Sequence, residues 1–383
     1  MRISTVSVIS KLVPNYRVRF FNLLGRSLWE HRIRLHVYHG AEPAGTAASS
    51  VGCGVLDSEI ERWVDVRHIG NSLMWHKLPK NIWSSDLIVM SQSGSILSNY
   101  VVMAKQKAGA GFATAFWGHG RNFQSTRRGR VADKIKDWMS LRVDWWFAYN
   151  NLSASIVQEI GYPKERITPV GNAVDIRGMI ERKATVTEAE LESMRMRLGL
   201  ESENISVYTG GLYRNKRLPF LLKSALLIRE RIPDFSLIII GDGPDRHLVK
   251  SIASEYPWIH YMGAMDDETK TPYWMLSKLL LMPGAVGLVV VDSFALGVPI
   301  VTTDYPYHGP EIDYLKSGFN GEMIRCGDDV NAYAEVVCRL LMNPEDFKRL
   351  REGALRSAPE HTVEKMVENF TSGVLAALDA PRL

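Results

Sequence analysis

The sequence has little cysteine and lacks the cysteine spacing of a metal site. Only three of its 383 residues are cysteines, Cys53, Cys326 and Cys338, and a sparse, odd number argues against a disulfide framework and a zinc site. The formal net charge is only +4, less than a dedicated nucleic-acid-binding protein usually carries. We therefore expect a protein of the reducing cytoplasm with no nucleic-acid partner. An anionic substrate or surface would suit its charge.

Long apolar runs are missing as well. No stretch approaches ~18 uninterrupted apolar residues, so no membrane-spanning helix is predicted. Residues 1–12 are apolar and β-branched but are interrupted by serine and threonine, which is typical of a buried first strand and not of a signal peptide. The expected location is the cytoplasm, with the inner face of the membrane as a further site of contact.

What the sequence does contain is a repeated alternation of short apolar runs and amphipathic stretches. Candidate strands occupy residues 3–9, 33–38, 86–90, 112–117, 145–149, 205–208, 236–240, 258–262, 279–282 and 299–302. Helical patterns occupy residues 20–31, 219–232 and 332–342. Strands that alternate with helices this often form parallel sheets covered by helices on both faces. We predict an α/β protein with two Rossmann-like, doubly wound domains facing each other across a cleft.

The composition changes near the middle of the chain. Irregular, polar residues are followed by a capping box at residues 187–190, which opens a charged helix. The predicted organisation is an N-terminal domain at 1–175, a linker and helix at 176–202, and a C-terminal domain at 203–363. The last helix, 364–383, is expected to cross back to the first domain.

The first motif that could carry chemistry follows the strand at residues 205–208. Gly210 and Gly211 allow the backbone to approach an anion, and Arg214, Lys216 and Arg217 follow ahead of a helix. Backbone amides, a helix N-terminus and cations together favour a pyrophosphate. Lysine and arginine at the start of a helix are also ordinary solvated residues, and that interpretation stays open.

The second motif is Gly241, Asp242 and Gly243, directly after the strand at 236–240. The glycines permit a tight turn and close approach of a ligand, although a plain strand-to-helix turn explains them equally well. Arg246 stands where the third glycine of a dinucleotide-binding fingerprint would be. A nicotinamide-dependent dehydrogenase is therefore disfavoured.

The third motif is a small-residue loop, 283–288, followed by an apolar run that contains Asp292. A carboxylate in such surroundings is costly without a partner. A ribose diol and the positive end of a helix are both candidate partners.

These three motifs, in this order, resemble the retaining family-4 glycosyltransferases of GT-B fold over roughly residues 200–330. The resemblance implies that Lys216 neutralises the donor diphosphate, with Arg214 replacing an arginine that would fall at Gly211. The paired glutamates of that family would fall at Gly284 and Asp292. Asp292 would then hold the ribose hydroxyls, and the carboxylate that contacts the transferred sugar is absent.

The resemblance also implies a set of donor-binding residues. They are Gly210, Gly211, Gly241, Asp242, Gly243, Ala285, Val286, Gly287, Leu288 and Asp292. The backbone amides of residues 285–288 are expected to face the sugar and the diphosphate.

Candidate residues of the first domain also follow strands. His119, between two glycines, resembles the histidine that many family members place beside the reacting sugar, where it would bond a hydroxyl or steady charge; a turn-capping histidine is the alternative. Tyr16, Arg17 and Arg121 could contact an acceptor, or serve only to start a helix or a turn. In the second domain, Glu311 could order the sugar loop, but a capping role is favoured.

A basic segment precedes an aromatic helix in the first domain. Its cations are Arg121, Arg127, Arg128, Arg130, Lys134 and Lys136, and Trp138 follows them. Such a helix suits a membrane surface or a lipid-linked acceptor. A solvated helix face with a buried tryptophan is the alternative.

Taken together, the sequence predicts a retaining glycosyltransferase that moves a sugar from a nucleotide sugar to a glycan or lipid-linked acceptor in cell-surface polysaccharide synthesis. His119, Lys216 and Arg214 are the predicted catalytic residues. No metal or other cofactor is expected, because cations and helix dipoles can stabilise the leaving diphosphate and no Asp-x-Asp motif is present. Two alternatives stay open: a sugar-nucleotide epimerase of the same fold and a catalytically silent binding subunit.

Overall fold

The computed structural model describes residues 2–40, 54–70, 73–121 and 131–383, with side chains omitted at 131–133. Cys53 and the predicted basic residues Arg127, Arg128 and Arg130 lie outside the described residues. The chain divides into two compact units. The first comprises Met1–Asp175 together with Thr362–Leu383, and the second comprises Ile176–His361.

The first unit is built on a seven-stranded parallel sheet with the order β3-β2-β1-β6-β7-β8-β9. The strands are β1 (Ser4–Ile9), β2 (Ile33–His39), β3 (Glu61–Trp63), β4 (Val66–Ile69), β5 (Leu73–His76), β6 (Leu87–Ser91), β7 (Ala113–Gly118), β8 (Trp145–Ala148) and β9 (Ile167–Pro169), of which β4 and β5 form a separate antiparallel pair. The helices are α1 (Val18–Glu30), α2 (Leu97–Lys107), α3 (Val131–Ser140) and α4 (Asn151–Glu159).

The second unit contains a six-stranded parallel sheet with the order β12-β11-β10-β13-β14-β15. Its strands are β10 (Ile205–Thr209), β11 (Ser236–Ile240), β12 (Ile259–Gly263), β13 (Leu279–Leu281), β14 (Ile300–Thr303) and β15 (Gly321–Ile324). Its helices are α5 (Arg177–Thr185), α6 (Glu188–Leu198), α7 (Leu218–Arg231), α8 (Arg246–Glu255), α9 (Asp267–Met275), α10 (Val289–Leu296), α11 (Val330–Met342) and α12 (Pro344–Ser357).

The last helix, α13 (Val363–Asp379), packs into the first unit. Its Phe370 ring stacks on Phe147 of β8, with ring centroids 4.2 Å apart. Gly373 permits this close packing, because a Cβ there would lie 2.7 Å from the Phe147 ring. The terminal helix is therefore part of the first unit's core.

The central strands explain why both sheets form. Every residue of β10, β11, β13 and β14 is buried, which is the pattern of parallel strands covered by helices on both faces. In each sheet the strand order reverses beside the first strand, and ligands of such sheets bind at this reversal, beyond the carboxyl ends of the strands. The prediction of two Rossmann-like parallel-sheet domains is confirmed.

The helices do not include a membrane span. No helix within the described ranges combines the length and the apolar character needed to cross a bilayer.

Candidate functional site

Two glycine-containing loops lie backbone against backbone at the reversal of the second sheet. The N–H of Gly210 donates to the carbonyl of Ile240 (3.0 Å), and the N–H of Leu212 donates to the carbonyl of Asp242 (2.9 Å). A Cβ on Gly241 would lie 1.9 Å from the Gly210 oxygen, and one on Gly243 would lie 2.5 Å from the Leu212 oxygen. Glycine is therefore required at both positions for the loops after β10 and β11 to meet.

The Asp242 side chain stabilises its own turn. Its carboxylate accepts a hydrogen bond from the N–H of Gly243 (2.7 Å) and lies 3.5 Å from the guanidinium of Arg246. The carboxylate is thus engaged locally, as in a plain strand-to-helix turn.

The loop after β13 packs against the turn that carries Lys216. The N–H of Ala285 donates to the carbonyl of Asn215 (2.9 Å), and the Lys216 ammonium donates to the carbonyl of Ala285. A Cβ on Gly284 would lie 2.4 Å from the carbonyl carbon of Lys216. This packing leaves no room for a side chain at position 284, where the resemblance places the family's first glutamate.

Two of the four amides expected to face the donor are used within the protein. The N–H of Ala285 is bonded to Asn215, and the N–H of Val286 donates to Nδ1 of His308 (3.0 Å). The Nε2–H of His308 in turn donates to the carbonyl of Thr303 (2.9 Å). The N–H groups of Gly287 and Leu288 make no hydrogen bond to the described residues. The expectation from sequence therefore applies only to these last two, at the start of α10.

His308 was not singled out in the sequence, although it lies three residues before Glu311, which was. Its two hydrogen bonds fix the neutral tautomer with the proton on Nε2. Burial lowers the pKa of this imidazole, which is consistent with a neutral ring. His308 therefore holds the loop after β13 against the loop after β14.

Lys216 is the cation at the junction of these loops. Burial lowers the pKa of its ammonium to about 8, against the opposing effect of the Glu311 carboxylate, which is itself only 5% exposed. Arg214 is exposed in the same turn. Arg217 points elsewhere: it donates to Oγ1 of Thr303 (2.9 Å) and packs over the Phe220 ring at 4.2 Å.

Asp292 has a partner that the sequence did not indicate. The ammonium of Lys270, on α9, lies 3.2 Å from Oδ2 of Asp292 and 2.6 Å from the Asp267 carboxylate. Burial alone would lower the pKa of Lys270, but the two carboxylates raise it above its ordinary value. The buried carboxylate is therefore stabilised by an ion pair with a helix distant in sequence.

The His119 loop of the first unit is held by a glutamine at the end of β6. The Oε1 of Gln92 accepts from the N–H of Gly120 (3.0 Å), and its Nε2 donates to the carbonyl of Gly120 (2.9 Å) and to Oγ of Ser140 (3.1 Å). Gly120 has φ +78°, which favours glycine. One primary amide thus fixes both backbone groups of the residue after His119.

His119 lines a cavity of ≈ 260 Å³ beyond the carboxyl ends of the strands in the first sheet. Tyr16, Arg17 and Tyr149 line the same cavity, and the His119 ring lies 4.0 Å from the Tyr149 ring. Burial, followed by the positive charges of Lys136 and Arg17, lowers the pKa of His119 to about 4. The imidazole is therefore neutral at neutral pH.

The predicted residues Tyr16, Arg17 and Arg121 have different surroundings. Tyr16 is partly exposed at the cavity, and Arg17 is buried beside it. Arg121 is exposed and does not line the cavity.

The aromatic helix of the basic segment presents its tryptophan to solvent. Trp138, on α3, is exposed together with Ile135, and the Arg142 guanidinium lies 4.0 Å from the centre of the Trp138 ring. The alternative of a buried tryptophan on a solvated helix is therefore wrong for Trp138.

Residues 203–343 match the family model described as "Glycosyl transferases group 1". Among curated proteins, the chain is 25% identical to the putative glycosyltransferase EpsD of Bacillus subtilis, over 62% of this chain and 63% of that protein. It is 27% identical to the alpha-D-kanosaminyltransferase of Streptomyces kanamyceticus over 44% of each chain. These matches thus span less than two thirds of the relatives' length.

Solved structures resemble the chain over nearly its whole length. The Anabaena Alr3699/HepE structure in complex with UDP has a TM-score of 0.68 at 14% identity, covering 97% of this chain and 99% of that one. A glycosyltransferase from Rickettsia africae has a TM-score of 0.69 at 14% identity, covering 99% and 100%. The protein has the two-domain, Rossmann-like GT-B fold.

Within the described ranges, no group of three or more histidine, cysteine, aspartate or glutamate side chains is arranged to hold a metal ion. A reaction without a metal remains a prediction.

Proposed function

We propose that the protein is a retaining family-4 glycosyltransferase, which moves a sugar from a nucleotide-sugar donor to a glycan or lipid-linked acceptor in the synthesis of a cell-surface polysaccharide or glycolipid. One observation carries the proposal. The Lys216 ammonium is partly buried where the loops after β10 and β13 meet, at the reversal of strand order where such sheets bind ligands. The surrounding residues 203–343 match a glycosyltransferase family model.

On the donor side, Lys216 and the N–H groups of Gly287 and Leu288 would receive the diphosphate. Their charge and dipoles would offset the negative charge that builds on the departing nucleotide. Arg214, exposed in the same turn, would supply a second cation. Asp292 would accept from the ribose hydroxyls, since Lys270 binds Oδ2 and leaves the other oxygen for a ligand.

On the acceptor side, His119 would bond a hydroxyl of the transferred sugar. Because its pKa is about 4, the ring is neutral at the pH of the cell and would act through a hydrogen bond and not through charge. The exposed Trp138 and the basic residues around it support contact with a membrane that carries a lipid-linked acceptor.

A screen of nucleotide sugars by thermal shift, followed by a product assay, tests this function. A ligand that binds only the folded protein raises its melting temperature. Because the structurally similar Anabaena Alr3699/HepE was solved with UDP and with UDP-glucose, uridine nucleotides are the first to screen. A transferase releases nucleoside diphosphate only when an acceptor is present, whereas an epimerase yields an isomeric donor and a silent binder yields neither. Either of the last two results would contradict the proposal.

The affinity for the donor should depend on pH through Lys216. Its ammonium is charged below its pKa of about 8 and neutral above it, and a diphosphate binds the charged form. We expect the dissociation constant of UDP to rise above pH 8, by at most about tenfold per pH unit for one proton. Calorimetric titration at several pH values measures this, and Lys216→Arg, which stays charged, should show a flat profile. An equal rise in both proteins would assign the titration to another group.

Gln92 should control turnover through the position of His119. Replacing it by methionine removes both bonds to Gly120, and misplacement of a reacting group by about 1 Å costs roughly a hundredfold in rate. We expect Gln92→Met to lower kcat by about 10- to 100-fold with the donor KM unchanged, as steady-state kinetics would measure.

The matched control is Gln106→Met. Gln106 is buried, and its amide donates to Asp144 (3.3 Å) where β7 and β8 begin, at the opposite edge of the sheet. Gln106→Met should lower the melting temperature about as much as Gln92→Met and should leave kcat unchanged. Equal losses of kcat in both variants would show that Gln92 has only a structural role.

A further inference from the structure

The cavity beside His119 is lined by cations and contains no carboxylate. Its charged lining residues are Lys11 and Arg17, and none of its lining residues is aspartate or glutamate. Lys11 is exposed at its edge. The remaining polar groups of the lining include neutral hydroxyl and amide groups from Ser10, Tyr16, Ser91, Gln92 and Tyr149. The composition of the lining suits an anion.

Arg17 is the central observation. Its side chain is buried, at 5% exposure, and its guanidinium donates to the carbonyl of Ala173 (3.2 Å), to Sδ of Met366 (3.2 Å) and to Oδ1 of Asn172. All three acceptors are neutral, and Arg17 forms no ion pair with the described residues. A buried charge without a counter-charge is unfavourable, so this guanidinium is suited to receive an anion.

The aromatic rings around Arg17 offset only part of this charge. The guanidinium carbon lies 5.2 Å from the Tyr16 ring and 5.5 Å from the Trp117 ring, distances at which a cation is attracted by the ring face. An aromatic face has no net charge, however, so the positive charge still acts on the cavity.

The start of α1 adds to the positive potential. Arg17 is the residue before the helix, no acidic side chain occupies its first turn, and no side chain caps it. No carboxylate therefore offsets the positive end of the helix dipole there. His119 lies among the same cations: its pKa is lowered mainly by burial and further by the charges of Lys136 and Arg17.

We infer that this cavity is an anion subsite that binds a phosphate group, with Arg17 and Lys11 as its cations and His119 at its wall. The inference rests on the proposed function only for the source of the phosphate. That source is either the acceptor, as a sugar phosphate or lipid pyrophosphate, or the diphosphate of the donor.

His119 reports on the subsite without any enzyme assay. The groups that face it are Arg17 before α1, Lys136 on α3 and Tyr149 after β8. An anion bound among these cations stabilises the protonated imidazole, so the pKa of His119 should rise from about 4 by about 1 unit or more when phosphate binds. Histidine-selective NMR on the full chain measures this in acidic titrations with and without inorganic phosphate, which stays anionic throughout. His119→Asn assigns the signal.

Variants test which cations form the subsite. Arg17→Gln keeps hydrogen-bonding capacity but removes the charge, and the phosphate-induced shift should disappear. Because Arg17 is buried, that variant could fail to fold, and Lys11→Gln is therefore the second test variant. It should weaken the response of His119 to phosphate several-fold. Lys164→Gln, an exposed lysine outside the cavity, should leave it unchanged. A shift that is absent in the unmodified protein, or that survives in both cavity variants, would overturn the inference.

The two sources separate when UDP and methyl phosphate are compared in unmodified protein and in Lys216→Ala. A response of His119 to UDP that is lost in Lys216→Ala assigns the subsite to the donor diphosphate. A response to methyl phosphate that is equal in both proteins, with none to UDP, assigns it to the acceptor. Thermal shift with UDP tests the proposed function separately from the subsite. If the protein binds phosphate at His119 but binds no nucleotide, the subsite is supported and the proposed function is contradicted.

Discussion

Gly284→Ala is expected to destabilise the second domain strongly and to abolish donor binding. The new Cβ would lie 2.4 Å from the carbonyl carbon of Lys216 and 2.5 Å from the carbonyl oxygen of Asn215, so the backbone of one loop has to move. Overpacking of this kind costs about 3 kcal/mol or more. For a domain of this size that corresponds to a fall in melting temperature of roughly 6–12 °C. Calorimetry and UDP titration would measure the two effects.

The chain provides a matched control three positions further on. A Cβ on Gly287 would meet no atom within 4 Å, so Gly287→Ala should melt close to the unmodified protein. If the two variants melt alike, the loops after β10 and β13 do not meet as the structure shows. The same contact bears on the missing glutamate, because Gly284→Glu should behave like Gly284→Ala and should not restore the family's carboxylate.

Lys216→Ala is expected to lose about 2–4 kcal/mol in donor binding and turnover combined, because it removes a charge-assisted contact with the diphosphate. This corresponds to a fall in kcat/KM of roughly 30- to 1,000-fold. Steady-state kinetics with the donor identified in the screen would measure it. Lys216→Arg should recover much of the loss, since it keeps the charge.

The control for charge is Lys223→Ala, an exposed lysine on the next helix, α7, which should keep normal kinetics. Lys216 also donates to the Ala285 carbonyl, so melting curves are needed for each variant. Normal kinetics in a folded Lys216→Ala would remove this residue from the site. A loss of activity that follows only the melting temperature would assign it a structural role.

The positions of the loops could be predicted from the sequence because they depend on local patterns. A buried apolar run followed at once by glycine marks the end of a parallel strand, as at Gly210 and Gly241. Short strands with few consecutive apolar residues were not predicted from the sequence. Examples are Glu61–Trp63, which has no buried residue, and Gly321–Ile324, in which two of four residues are buried.

The contacts between the loops could not be predicted. Lys270 forms an ion pair with Asp292. His308 accepts a hydrogen bond from the N–H of Val286, and Gln92 accepts one from the N–H of Gly120. The partners in each pair are more than 20 residues apart in sequence. Val286 meets His308 and Gln92 meets Gly120 because neighbouring strands bring their ends together, whereas Lys270 meets Asp292 through the packing of two helices. No spacing along the chain encodes these pairs.

The sequence by itself therefore determined the fold class and the positions of the glycine-containing loops, because periodicity and glycine placement are local properties of the chain. Only the tertiary structure decided which backbone amides remain available, which carboxylate is already paired and whether a side chain fits at Gly284. Those outcomes depend on how closely loops and helices from separate parts of the chain approach each other. That distance is set by the packing of the whole sheet and its helices, not by the residues of any one loop.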